Sequence, residues 1–250
     1  MVCLLSVFLW TCSQVEAAPT KEELFKMMAE KQTKVKTMEA DMINTSPTPM
    51  GSMKATGHIV TAKSEVDGKT LHKYAMNTKS TMEMGGQSMT SEVKIVSDGV
   101  VVWQEMRMSM TPEIQVVKQK AKESGPTGMG PALTGEALDE IQKTLNLGDV
   151  TEETLDGRKV YRVEGTIRDD APNAEQMKAI MSKITLYVDQ ENLVVSLVVM
   201  SDAEGKEVGR MEIKNLKLNH EVDPKVFDYT PPAGARVRDM TKEPGKAGVE

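Results

Sequence analysis

Residues 183–200, KITLYVDQENLVVSLVVM, decide the fold. Ile184, Leu186 and Val188 alternate with Thr185 and Tyr187, the period of a strand with one buried face. The polar link Asp189-Gln190-Glu191-Asn192 follows, and from Val194 to Met200 the chain is almost wholly apolar. Two such runs joined by so short a turn predict a well-buried antiparallel hairpin.

The same grammar extends in both directions. Downstream, GRMEIKNLKLNHEV (209–222) places Met211 and Ile213 on odd positions, then Leu216 and Leu218 on even ones. A switch of parity within one strand predicts a bulge near Asn215. Upstream, period-two segments are separated by turn signals at SPTPMG (46–51), VDGK (66–69), MGGQ (84–87), SDG (97–99) and LDGR (155–158), and DAEGK (202–206) supplies another beyond the hairpin. The chain reads as a sheet built from successive hairpins.

Helices punctuate this sheet. Thr20 and Glu23 form a capping box, and Leu24, Met28, Val35 and Met38 recur at helical spacing, which predicts an amphipathic helix over about 21–38. Thr134 is placed to cap a second helix carrying Leu138, Ile141 and Leu145, and Asn173 a shorter one carrying Met177, Ile180 and Met181. Before the second helix, ESGPTGMGPALTG (123–135) has the composition of a long surface loop.

The first seventeen residues read as an address. An eleven-residue apolar run ends in polar residues and then Val15-Glu16-Ala17, so cleavage after Ala17 is expected, with lipidation at Cys12 the alternative. Residues 18–235 then form a single domain, and 236–250 a polar tail expected to fray. Both cysteines, Cys3 and Cys12, fall in the leader, which leaves the mature chain neither disulfides nor thiolate chemistry. An exported chain without disulfides fits the periplasm. No apolar run is long enough for a transmembrane helix. Acidic residues exceed basic ones by 37 to 31, with no dense basic block, so nucleic acid is not an expected partner.

Catalytic candidates are few. His58, His72 and His220 show no metal-ligand spacing, and Asp169 and Asp170 sit before Pro172 where turns favour acids. No enzyme, no cofactor and no resident metal is expected, and a hydrolase with an unrecognised site is the distant alternative. Methionine is the unusual residue, at 20 of 250. Met82 with Met84, and Met106, Met108 and Met110, recur two apart as stripes on strand faces. Thioethers suit Cu(I), which makes a periplasmic copper-binding protein one alternative. Methionine is also unbranched and adaptable, so a stripe of it suits an apolar partner of variable shape.

The segments SDGVVVWQEM (97–106), with Asp98, Gly99 and Trp103, and VFDYTPPAGARVRDMT (226–241), with Phe227, Pro231, Pro232, Gly234 and Val237, resemble landmarks of the periplasmic outer-membrane lipoprotein carriers of the LolA/LolB type. The order of leader, helix, antiparallel strands, helical insertion, strong hairpin and proline-glycine ending is similar as well. The resemblance implies an α+β fold: a strongly curved antiparallel sheet forming an incomplete β-barrel, with helices covering its mouth. It implies a non-enzymatic carrier that binds the acyl chains of lipoproteins, or a similar amphiphile, in an apolar cavity. Such carriers take cargo from an inner-membrane donor and pass it to an outer-membrane acceptor. A lipid-responsive envelope sensor of the same fold is the alternative. The expected lining is Met82, Met84, Trp103, Met106, Met108, Met110, Leu186, Val188, Val195, Leu197 and Met211, with Leu138, Ile141, Met177 and Met181 closing the mouth.

Overall fold

The computed structural model describes residues 17–48, 51–66, 68–121 and 135–241. The leader, Thr134 and most of the glycine-proline segment therefore lie outside the described residues. Helix α1 (Lys21–Thr33) is followed by strands β1 (Thr37–Thr48), β2 (Gly51–Val66), β3 (Lys69–Met84), β4 (Gln87–Ser97), β5 (Val101–Met108) and β6 (Thr111–Lys120). Helix α2 (Gly135–Thr144) leads into β7 (Leu145–Leu155) and β8 (Arg158–Ile167), and α3 (Ala174–Ile180) into β9 (Lys183–Asp189), β10 (Val195–Ser201) and β11 (Glu207–Leu218). A 3₁₀ turn at Pro224–Phe227 and the short strand β12 (Arg236–Asp239) complete the chain.

All twelve strands join one curved, open sheet in the order β12-β6-β5-β4-β3-β2-β1-β11-β10-β9-β8-β7. Every pairing is antiparallel except β12 with β6. The sheet does not close into a barrel. It consists of two meanders, β1–β6 and β7–β11, joined by the pairing of β1 with β11.

The turn chemistry follows the sequence where glycine and asparagine permit positive φ. Asp156 and Gly157 have φ of 50° and 78°, the signs of a primed turn whose twist matches the flanking strands β7 and β8. The bulge expected near Asn215 is present: Glu39 pairs with Lys217 and Asp41 with Lys214, so Asn215 and Leu216 together face one residue of β1. Asn215 takes a left-handed conformation, φ 52°, and its Nδ2 donates to Asp41 Oδ2 at 2.6 Å.

Several boundaries differ from the sequence reading. The capping box is formed, with the Glu23 backbone N–H donating to Thr20 Oγ1 at 3.2 Å and the Thr20 N–H to Glu23 Oε2 at 2.8 Å. The helix nevertheless ends at Thr33 rather than residue 38. Met38, Ala40 and Met42 alternate with Glu39 and Asp41, and pairing with both β2 and β11 commits that alternation to a strand. Leu145 opens β7 instead of closing α2. Asn173 precedes α3 in a left-handed conformation and makes no side-chain cap bond. The first hairpin strand runs through Pro47, which pairs with Ser52, so SPTPMG is strand as far as Thr48. The polar tail is not frayed at its start: Arg236–Asp239 pairs with Gln115–Lys118, giving the otherwise open edge of β6 a partner.

Register divides the sheet cleanly. One face, here called inner, carries Met38, Ala40, Ile59, Tyr74, Val102 and Ile213 as one buried cluster. The same face continues through Val198, Leu186 and Val163 into a second cluster, where Leu24, Phe25 and Met28 of α1 and Leu138 and Ile141 of α2 pack down on the strands. Leu24 and Met28 are 0% and 1% exposed, each contributing roughly 1.5–3 kcal/mol of burial. The helices thus cover the β7–β10 half of the inner face and leave the outer strand ends of the β2–β5 half without a helix among the described residues. No described helix is long and apolar enough to cross a membrane.

Candidate functional site

The strand methionines converge on the inner face. Met42 of β1 stands across from Gly57, two residues along from Ile59, and Met76 pairs with both Ile59 and Ile95. Met53 pairs with Met82, and Met82 with Met89. Met106 faces Val93 and Met108 faces Ser91. Met211 is opposite Val198, and Met200 opposite Ile184. Directly opposite residues of a ladder point the same way, and positions two apart do too, so all of these, with Met38, share the face that holds both clusters. Hairpin stripes that look separate in sequence are one surface in the fold. Met53 and Met89 were not singled out by spacing; each is isolated in its own strand, and only the register shows that they flank Met82.

The expected lining residues divide four ways. Met82, Met106, Met108, Leu186, Val188, Val195 and Met211 lie on the inner face. Met84 sits opposite Gly51 and Gln87, at a position whose side chain is outside the description. Met110 is not on the strand at all: β5 ends at Met108, and Met110 lies in the turn, 73% exposed. Trp103 and Leu197 are on the other face. Trp103 has odd parity on β5, opposite to Met106 and Met108. In β10 a bulge intervenes, since Val195 pairs with Val188 but Leu197 with Tyr187, which moves Leu197 outward. Of the mouth residues, Leu138 and Ile141 are buried in the helix-covered cluster, and Met177 and Met181 pack partly buried against it. They fill that half, with Leu186, Val188 and Val195 in the same packed core.

The outer face carries a strap. After β11 the chain crosses the sheet, buries Phe227, and brings Tyr229 over β5. The Tyr229 hydroxyl donates to Glu105 Oε2 at 2.7 Å, and Arg107 Nε donates to Glu105 Oε1 at 2.6 Å. Trp103 lies beneath, its ring 5.5 Å from that of Tyr229 and 5.1 Å from the Lys118 ammonium. Burial works against the Glu105 carboxylate, but the bonds from Tyr229 and Arg107 outweigh it and hold its pKa below the usual range. Burial and the adjoining carboxylate push the Tyr229 hydroxyl well above an ordinary phenol.

Beside the strap is an open groove of about 790 Å³, lined by Asp41, His58, Lys79, Glu92, Lys94, Glu105 and Arg107 among others. Its acids already have partners. His58 Nδ1 is 2.7 Å from Asp41 Oδ1, and Lys79 is 3.4 Å from Glu92. The hydrogen bond from Asn215, then that from His58, keeps Asp41 below its ordinary pKa. His220 Nε2 lies 2.9 Å from Glu39 on another stretch of β1. Asp169 pairs with Lys178, and Asp170 takes two bonds from Arg168 at 2.8 and 2.9 Å. Among the described residues no group of three or more His, Cys, Asp or Glu is placed to hold a metal ion.

No family model matches the chain. It is 26% identical over 234 residues to an uncharacterized protein of Methanocaldococcus jannaschii, a match covering 94% of this chain but 57% of that protein, so the chain spans little more than half the relative's length. Solved structures similar to it include the MucA/MucB complex of Pseudomonas aeruginosa, at 12% identity over 83% of this chain and 60% of that one, TM-score 0.41. LprF of Mycobacterium bovis aligns at 12% identity over 82% of this chain and 97% of its own, TM-score 0.40. A LolA superfamily protein of Nitrosomonas europaea aligns at 12% identity over 85% and 99%, TM-score 0.28.

Proposed function

We propose that this protein is a non-enzymatic, exported carrier that holds the acyl chains of a lipoprotein, or a similar amphiphile, against its inner face and delivers them towards the outer membrane. One observation carries the reading: among the described side chains, the methionines of strands β1–β5, β10 and β11 fall on the face where the helices pack. Moving an acyl chain through water exposes about 0.8 kcal/mol per CH₂, on the order of 10 kcal/mol for roughly sixteen carbons, so a carrier must shield it. It must also let go. Thioether side chains give many small, adaptable contacts, which favours a surface that can be vacated step by step.

Because the helix-covered half is packed, the reading puts the cargo on the other half. An acyl chain would lie over Met76, Met82 and Met106, with its end against the cluster of Ile59 and Tyr74. The outer face, occupied by the strap, takes no part. The decisive experiment is native mass spectrometry of protein purified from the periplasm, followed by lipid extraction. Stoichiometric acylated species support the carrier. A mass equal to the bare polypeptide, together with no displacement of a fluorescent fatty acid from the purified protein, overturns it.

A further inference from the structure

We propose that Met53, Met82 and Met89 form a thioether site for a soft monovalent cation, copper(I) in its natural state. The three residues occupy directly opposed positions on neighbouring strands, Met53 with Met82 and Met82 with Met89. They therefore make a row across β2, β3 and β4 on the inner face. Adjacent Cβ atoms in such a row stand about 4.5–5.5 Å apart, and the outer two about 10 Å apart. With three rotatable bonds each, the outer side chains can lean toward the central one and bring three sulfurs together.

Core packing does not account for this row. All three residues are half-buried, and among the described residues neither buried cluster includes them. The next row inward is Ala55, Ser80 and Ser91, whose small side chains leave space above the sheet for long ones to fold over. Met108, opposite Ser91 on β5 and 49% exposed, stands diagonal to Met89 within reach as a fourth ligand. The inward row carries no carboxylate, and Lys54, Glu83 and Ser88 have the opposite parity, so beside the three sulfurs this row adds only the neutral hydroxyls of Ser80 and Ser91. Neutral sulfur donors alone select copper(I) or its redox-inert analogue silver(I).

The site shares Met82 with the proposed cargo surface but does not rest on the carrier reading, because its test uses the metal alone on lipid-free protein. Lipid-free full-length mature chain is titrated with silver nitrate in chloride-free buffer by calorimetry and native mass spectrometry, and with copper(I) held under ascorbate against a chromophoric chelator. One ion per chain is expected. The triple variant Met53→Leu, Met82→Leu, Met89→Leu, which keeps apolar bulk and deletes sulfur, is expected to bind about a hundredfold more weakly with an unchanged melting curve. Met108→Leu should weaken binding by a smaller factor. Undiminished silver binding by the triple variant, or no binding by the parent chain, overturns the proposal. A triple variant that melts early is replaced by Met82→Leu alone, for which a loss of about tenfold is expected and an unchanged affinity overturns the site.

Discussion

Tyr229 and Glu105 join across 124 residues of sequence by a hydrogen bond of 2.7 Å. That bond fastens the strap to the outer face and so positions β12 beside β6. Tyr229→Phe keeps the ring over Trp103 and removes the donor to a nearly buried carboxylate. A loss of about 1–2 kcal/mol is expected. Urea unfolding measures it, and amide exchange at Val237 and Arg238 should rise more than exchange in β9. Equal protection of β12 in parent and variant would show that the strap is held by Phe227 alone.

The same carboxylate sets a pH window. Glu105 and Asp41 are both held below their ordinary pKa, so the folded state binds fewer protons than the unfolded one as acid is added. Their stabilisation is complete above the unfolded values, about 4, and is lost as pH falls through the folded ones. Stability should be insensitive to these groups from pH 8 to about 5 and decline below about 4. Protection of the β12 amides, followed from pH 7 down to 3, should fall with that acid limb, and Glu105→Gln should flatten it. A decline centred near neutrality would contradict the assignment.

Asn215 combines a left-handed backbone with a side-chain bond to Asp41 in the β1–β11 pairing. Asn215→Ala loses the bond and places a Cβ-bearing residue with no compensating contact in that conformation, costing about 2–3 kcal/mol. Asn215→Gly relieves the backbone and should recover about 1 kcal/mol of it. Chemical denaturation of the three proteins gives the order directly, and equal stability of the Ala and Gly variants would remove backbone strain from the account.

Cargo binding should follow face, not hydrophobicity. Met106→Gln with Met108→Gln polarises the inner face and is expected to weaken fatty-acid affinity about tenfold, near 1.4 kcal/mol. The corresponding Leu variants should stay within a factor of about three, since apolar area is kept. Trp103→Phe, under the strap, should leave affinity unchanged. Fluorescent fatty-acid displacement measures all three, and a loss on Trp103→Phe alone would move the site to the outer face.

Local chemistry carried much of this structure. The capping box at Thr20, the Asp156-Gly157 turn and the bulge at Asn215 each depend on residues within a few positions of one another, and each was legible before any coordinates. Parity across a bulge was not: Leu197 looks equivalent to Val195 until the pairing with Tyr187 is known. Trp103 and Met106 differ by three positions, so period two alone places them on opposite faces, and only their shared hydrophobicity groups them. The Met53–Met82–Met89 row depends on three strands lying in one register, a non-local fact with no trace in the spacing of any one segment. The helix expected to reach residue 38 ends at Thr33 for a related reason, because β1 is claimed from both sides by β2 and β11 and tertiary pairing overrides a helical pattern.

The pairing of β1 with β11 has a kinetic consequence. Within β1–β6 and within β7–β11 each strand meets its sequence neighbour, so either group can assemble by closing short loops. Joining them requires Met42 to find Ile213, which closes a far longer loop before any contact rewards it. That junction is the step at which folding should wait, and a chain caught before it would present two unpaired strand edges to whatever else is in solution.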